Sequence, residues 1–101
     1  MQELPVACTL GPAALAARRQ GLFSALMRRA EAHQELADGH RLIFPATSEA
    51  LDLIWKTVEL ERQCCRFLRF QITIEPDGGP VSVELTGPPG TREFVAALFD
   101  S

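Results

Sequence analysis

The chain is poor in cysteine, with only Cys8, Cys64 and Cys65, and these do not make a disulfide framework. Adjacent cysteines close a strained ring, and an odd count leaves one thiol over. Reduced thiols fit a reducing compartment, so a cytoplasmic protein is expected. Long apolar runs are also missing: nothing approaches the roughly 20 consecutive residues of a membrane span. The opening Met1-Gln2-Glu3 lacks the basic and apolar regions of a secretory signal. Basic charge is scarce as well. Ten Lys and Arg face 13 Asp and Glu, a formal net charge of −3, which argues against a nucleic-acid partner. The arginines at 18–19, 28–29 and 62, 66 and 69 have acids nearby and read as solvated helix faces. A phosphate-binding glycine loop is absent too, because Gly87-Pro88-Pro89-Gly90 puts prolines where backbone N–H donors are needed.

What is present suffices for one core. At 101 residues, 47% hydrophobic and 23% charged, the chain fits a single ordered domain over residues 1–101. Leu4 to Thr9 is a short β-prone stretch containing Cys8. Gly11-Pro12 reads as a helix start, with Pro12 where its missing N–H costs little. That helix is expected to run to about His33, with Leu15, Leu22, Leu26 and Ala30 along one stripe and Gly21 weakening it. Asp38-Gly39 signals a turn, and His40 to Phe44 a strand that Pro45 ends. Thr47 or Ser48 can cap a second helix, Glu49 to about Cys65.

Beyond the cysteines, Leu68, Phe70, Ile72 and Ile74 alternate with polar residues, as do Val81, Val83 and Leu85. The turn Pro76-Asp77-Gly78-Gly79-Pro80 joins them into an antiparallel hairpin. A short terminal helix follows, with Phe94, Val95, Leu98 and Phe99 as its apolar face. The expected fold is α+β in the order β-α-β-α-β-β-α. Helices should cover one face of a small sheet, leaving the other wet or paired with a second copy of the chain.

The chemistry concentrates on the second helix. At about 100° per residue, Leu51, Val58 and Cys65 share a core-facing arc, Ile54 and Trp55 flank it, and Cys64 lies at its edge. Trp55 is expected in the core. Glu61 stands at i,i+3 to Cys64 and i,i+4 to Cys65, so the three side chains can meet. One explanation for this carboxylate is a rim salt bridge to Arg41, Arg66 or Arg69. The other is a ligand or hydrogen-bond partner in a thiol site.

A helix C-terminus presents partial negative charge and disfavours thiolate, so it suits metal coordination better than thiol catalysis. No C-x-x-C pair completes a structural zinc site, and His33 and His40 have no ligand-like spacing with the cysteines. Cys8 is the natural third sulfur donor, and three sulfurs suit Hg(II), Cu(I) or As(III). The plainer reading of Cys8 is a small buried hydrophobe.

The run Glu61-Arg62-Gln63-Cys64-Cys65-Arg66-Phe67-Leu68-Arg69-Phe70, then Glu84-Leu85-Thr86-Gly87-Pro88 and Glu93-Phe94, resembles a family of small bacterial proteins without an assigned activity. Its hallmark is E-R-x-C-C-x-F-L-x-F, a Gly-rich turn, a strand ending in T-G-P and a short helix. Cys8-Thr9 with Pro12, and the stretch from Leu36 to Pro45, extend the likeness over nearly the whole chain. The resemblance implies an association with heavy-metal resistance, with Glu61, Cys64, Cys65 and Cys8 as functional positions. The family usually has proline directly after the cysteine pair, where this chain has Arg66, and that leaves the orientation of Cys65 open.

Three functions therefore remain. The first is a soft-metal-binding accessory protein, with Cys64, Cys65, Cys8 and Glu61 as ligands and a metal-responsive regulator as partner. The second is a non-catalytic interaction module or homodimer with buried structural cysteines. The third is a thiol enzyme using Cys64 with Glu61 as base, ranked last because no histidine is near.

Overall fold

The computed structural model describes residues 24–99, apart from the side chains of Ser24, Cys64 and Phe99. Its elements are helix α1 (Ser24–Arg29), strands β1 (Ala32–Leu36) and β2 (Gly39–Phe44), helix α2 (Ser48–Cys64), strands β3 (Arg69–Ile74) and β4 (Val81–Thr86), and helix α3 (Thr91–Phe99). The fold is α+β. The strand expected at Leu4 to Thr9 lies outside the described residues.

The four strands form one antiparallel sheet in the order β1-β2-β4-β3. Two hairpins supply it, and α2 carries the chain from β2 to the far edge, where β3 begins. Strand β4 then returns to fill the gap, so β2-α2-β3 is a split β-α-β unit. The second hairpin turns at Asp77 (φ 60°) and Gly78 (φ 73°), with the Gly79 N–H bonded to the Pro76 carbonyl at 3.1 Å. Two successive positive φ angles make a type I′ turn, whose twist matches that of the flanking strands.

Period-two alternation divides the sheet into two faces. His40, Leu42 and Phe44 of β2 lie beside Leu85, Val83 and Val81 of β4, and all six are buried. The same face receives Leu26 of α1, Ala50, Ile54 and Val58 of α2, and Val95 and Leu98 of α3. On the other face Gln34 is exposed and Arg41, Glu84 and Ser82 are half-buried, and Arg41 bonds Glu84 at 2.9 Å and Gln34 at 3.2 Å. The described helices therefore cover one side.

Two sequence expectations need correction. The helix expected to reach His33 stops at Arg29, and Ala32–Leu36 form an edge strand. Ala, Gln, Glu and Leu are good helix formers, so local preference points the wrong way here. What wins is the ladder with β2, in which His33 faces Leu42 and Glu35 faces His40. Trp55, expected in the core, is 62% exposed. The buried arc of α2 runs through Ala50, Ile54, Val58, Glu61 and Cys65, and Trp55 lies one residue, about 100°, beyond it.

Candidate functional site

Helix α2 is delimited by its own sequence. Thr47, in extended conformation, accepts the Ala50 N–H on Oγ1 at 3.1 Å, an N-cap worth about 1 kcal/mol. Glu49 in the first turn and Arg62 in the last complement the helix dipole. The helix ends at Cys64, and Cys65 takes a non-helical cap conformation (φ −104°, ψ 75°). Its N–H still donates to the Glu61 carbonyl at 2.6 Å, while its own carbonyl accepts the Leu68 N–H at 3.0 Å. Arg66 thus permits the same stop that a proline would enforce.

This cap aims Cys65 inward. Cys65 and Glu61 are both 0% exposed, and the Cys65 thiol donates to Glu61 Oε1 at 3.4 Å. The Cys65 thiol is thus one partner of Glu61. Arg41, a candidate for the rim salt bridge, pairs with Glu84 instead, on the far side of the sheet. A carboxylate taken out of water carries a penalty of several kcal/mol unless it is bonded, and the thiol supplies one such bond.

The segment after the cysteines is locked by the other pieces of the sequence pattern. Phe67 packs edge-on against Phe94 of α3, with centroids 5.1 Å apart and planes at 87°. Gly87, in the Thr86-Gly87-Pro88 turn, lies so close to Phe67 that a Cβ there would meet its carbonyl oxygen at 3.1 Å and Thr91 Oγ1 at 2.6 Å. The glycine is needed for that approach, and so the end of α2, the T-G-P turn and the start of α3 form one packed unit.

Of the four expected ligands, the structure brings Glu61 and Cys65 together. Cys64 closes the helix, but its side chain, like all of Cys8, lies outside the described residues. Among the described residues no group of three or more His, Cys, Asp or Glu is placed to hold a metal ion. A surface depression of about 330 Å³, lined by Arg41, Ile43, Thr73, Ser82 and Glu84, is on the open sheet face, away from Cys65.

Sequence reasoning overlooked one polar contact, between His33 Nε2 and His40 Nδ1 at 2.7 Å. The two residues are diagonal neighbours across the β1–β2 ladder, a relation invisible while His33 is assigned to a helix.

No family model, curated protein or solved structure matches this chain. Among the described residues no helix is long and apolar enough to cross a membrane.

Proposed function

We propose that the C-terminal end of α2 is a soft-metal site, with Cys64 and Cys65 as vicinal sulfur donors, Cys8 as a third, and Glu61 as the carboxylate that serves them. The supporting observation is the fully buried Glu61–Cys65 pair, 3.4 Å apart. The carboxylate holds the thiol by its proton. When a soft cation binds sulfur, coordination deprotonates the thiol, and Glu61 becomes the nearest acceptor for that proton or a ligand itself. The protein then acts in the reducing cytoplasm as a small metal chaperone, scavenger or accessory to a metal-responsive regulator. The family resemblance to proteins associated with heavy-metal resistance points the same way.

The experiment is titration of the reduced full chain with Hg(II), Cu(I) or As(III). About one equivalent should bind, with a thiolate-to-metal absorption band that Cys64→Ser abolishes. Failure to hold any of these ions against millimolar glutathione refutes the proposal.

A second reading is favoured by a different fact: Cys65 belongs to the continuous apolar core with Ile54, Val58 and Leu68. On that reading the cysteine is packing, and the protein is an interaction module or homodimer. Sedimentation would then show a stable oligomer that survives both Cys64→Ser and Cys65→Ser.

A further inference from the structure

Strand β3 is one edge of the sheet, and among the described residues no strand pairs with its outer side. Two backbone bonds fix which of its groups point outward. The Glu75 N–H donates to the Pro80 carbonyl at 3.2 Å, and the Gly87 N–H donates to the Asp38 carbonyl at 3.1 Å. In an antiparallel ladder the direction of the N–H and C=O groups alternates from residue to residue. Leu85, Val83 and Val81 therefore point to β2, in step with Gly87, while Thr86, Glu84 and Ser82 point to β3. Arg69, Gln71 and Thr73 answer them, in step with Glu75. The N–H and C=O groups of Phe70, Ile72 and Ile74 are left aimed away from β4.

The side chains of these residues are incompletely covered as well. Opposite them on β4, Leu85, Val83 and Val81 are buried, whereas Phe70 and Ile72 are half-buried and Ile74 is 61% exposed. Natural edges are blunted by lysine, proline or a bulge. Strand β3 contains no lysine or proline, and its register with β4 runs unbroken from Arg69 to Ile74. Its charges stand at the two ends, Arg69 at the start and Glu75 just past the finish. Both are exposed, and neither forms an ion pair among the described residues.

A second β3, laid antiparallel about a two-fold axis at Ile72, satisfies all of these groups in one register. Ile72 faces the partner's Ile72, Phe70 the partner's Ile74, Gln71 the partner's Thr73, and Arg69 the partner's Glu75. Outward-pointing residues then meet outward-pointing residues, so Phe70, Ile72 and Ile74 each donate and accept a backbone bond. Their side chains meet on the helix side of the sheet, while Arg69 and Glu75 pair on the open face, once from each copy. A shift of one residue sets the outward groups against groups already bonded to β4, and a shift of two breaks the match of Arg69 with Glu75. Because the contact is isologous, it closes at two copies.

We propose that β3 is the homodimer edge of this protein: two copies join through β3 in this register, making one continuous sheet with the described helices of both on the same side. The interface uses no cysteine and is independent of the metal site.

Sedimentation equilibrium and amide exchange test it on the reduced full chain with a chelator present. A monomer–dimer equilibrium should appear. Exchange at Phe70, Ile72 and Ile74 should slow as the protein concentration rises, while Gln71 and Thr73, bonded to β4, stay constant. Arg69→Glu and Glu75→Arg, both at exposed positions, should each raise the dimer dissociation constant about tenfold, since two pairs per dimer turn from attraction to repulsion. The double swap should return it to within about threefold of the original, because the charges match again. A chain that stays monomeric at about 1 mM, where even weak association is visible, overturns the proposal. So does a dimer indifferent to both swaps. Protection of Phe70, Ile72 and Ile74 that does not depend on concentration overturns it too, and assigns the edge to another segment of the same chain.

Discussion

Gly39 begins β2, pairs with Thr86 of β4 and is buried, and it leads directly into His40. A Cβ added there would lie 1.8 Å from the Leu85 carbonyl oxygen, 2.8 Å from its carbon and 2.9 Å from the Thr86 Cα. Its φ is not in the left-handed region, so an alanine is conformationally permitted and the cost is purely steric. Every atom in the way is backbone and cannot rotate aside. Gly39→Ala must therefore push β2 and β4 apart by about 1 Å at a spacing that normally sits near 4.8 Å. Overpacking of this kind costs about 1–3 kcal/mol, and the loss of one or two ladder bonds adds about 1 kcal/mol. A total of about 3 kcal/mol is a large share of the 5–15 kcal/mol typical of a domain. For a chain of this size that lowers Tm by roughly 12–24 °C. Urea and thermal unfolding, followed by far-UV circular dichroism, measure it. A loss below about 1 kcal/mol would refute the reasoning, because it would mean that the two central strands do not pack at this distance.

Two further perturbations probe the cysteine helix. Thr47→Ala removes the oxygen that caps α2 and should cost about 1 kcal/mol in urea unfolding, while Thr47→Ser should recover most of it. Cys65→Ala removes a buried side chain that packs in the core and bonds Glu61, and should cost about 1–3 kcal/mol in urea unfolding. A loss below about 0.5 kcal/mol would refute it.

His33 sets a sign for acid stability. His33 is held below its ordinary value in the folded state, so the unfolded chain binds more protons once the pH falls through 6.5. Stability is unaffected by this group above that point. It declines as the pH drops from 6.5 toward the lowered folded value, and His33→Ala should flatten that decline.

Much of this protein could be read directly from its residues. The alternation of Leu68 to Ile74 and of Val81 to Leu85, with Asp77-Gly78 between them, specified the second hairpin, because period two and a turn needing positive φ are local properties. The four-residue repeat on α2 likewise put Glu61 and Cys65 on one inward arc, which a helix enforces whatever surrounds it. Three things were settled only by tertiary packing. Ala32–Leu36 became a strand because β2 offered a ladder, which outweighs weak helix preference. Trp55 was left outside because the direction from which the sheet meets α2, and not hydrophobicity alone, selects the buried arc. The His33–His40 contact depends on both the strand and its register, so spacing along the chain could not disclose it. Local chemistry determines which elements can form and which side chains share a face, whereas the pairing of distant segments decides which faces meet.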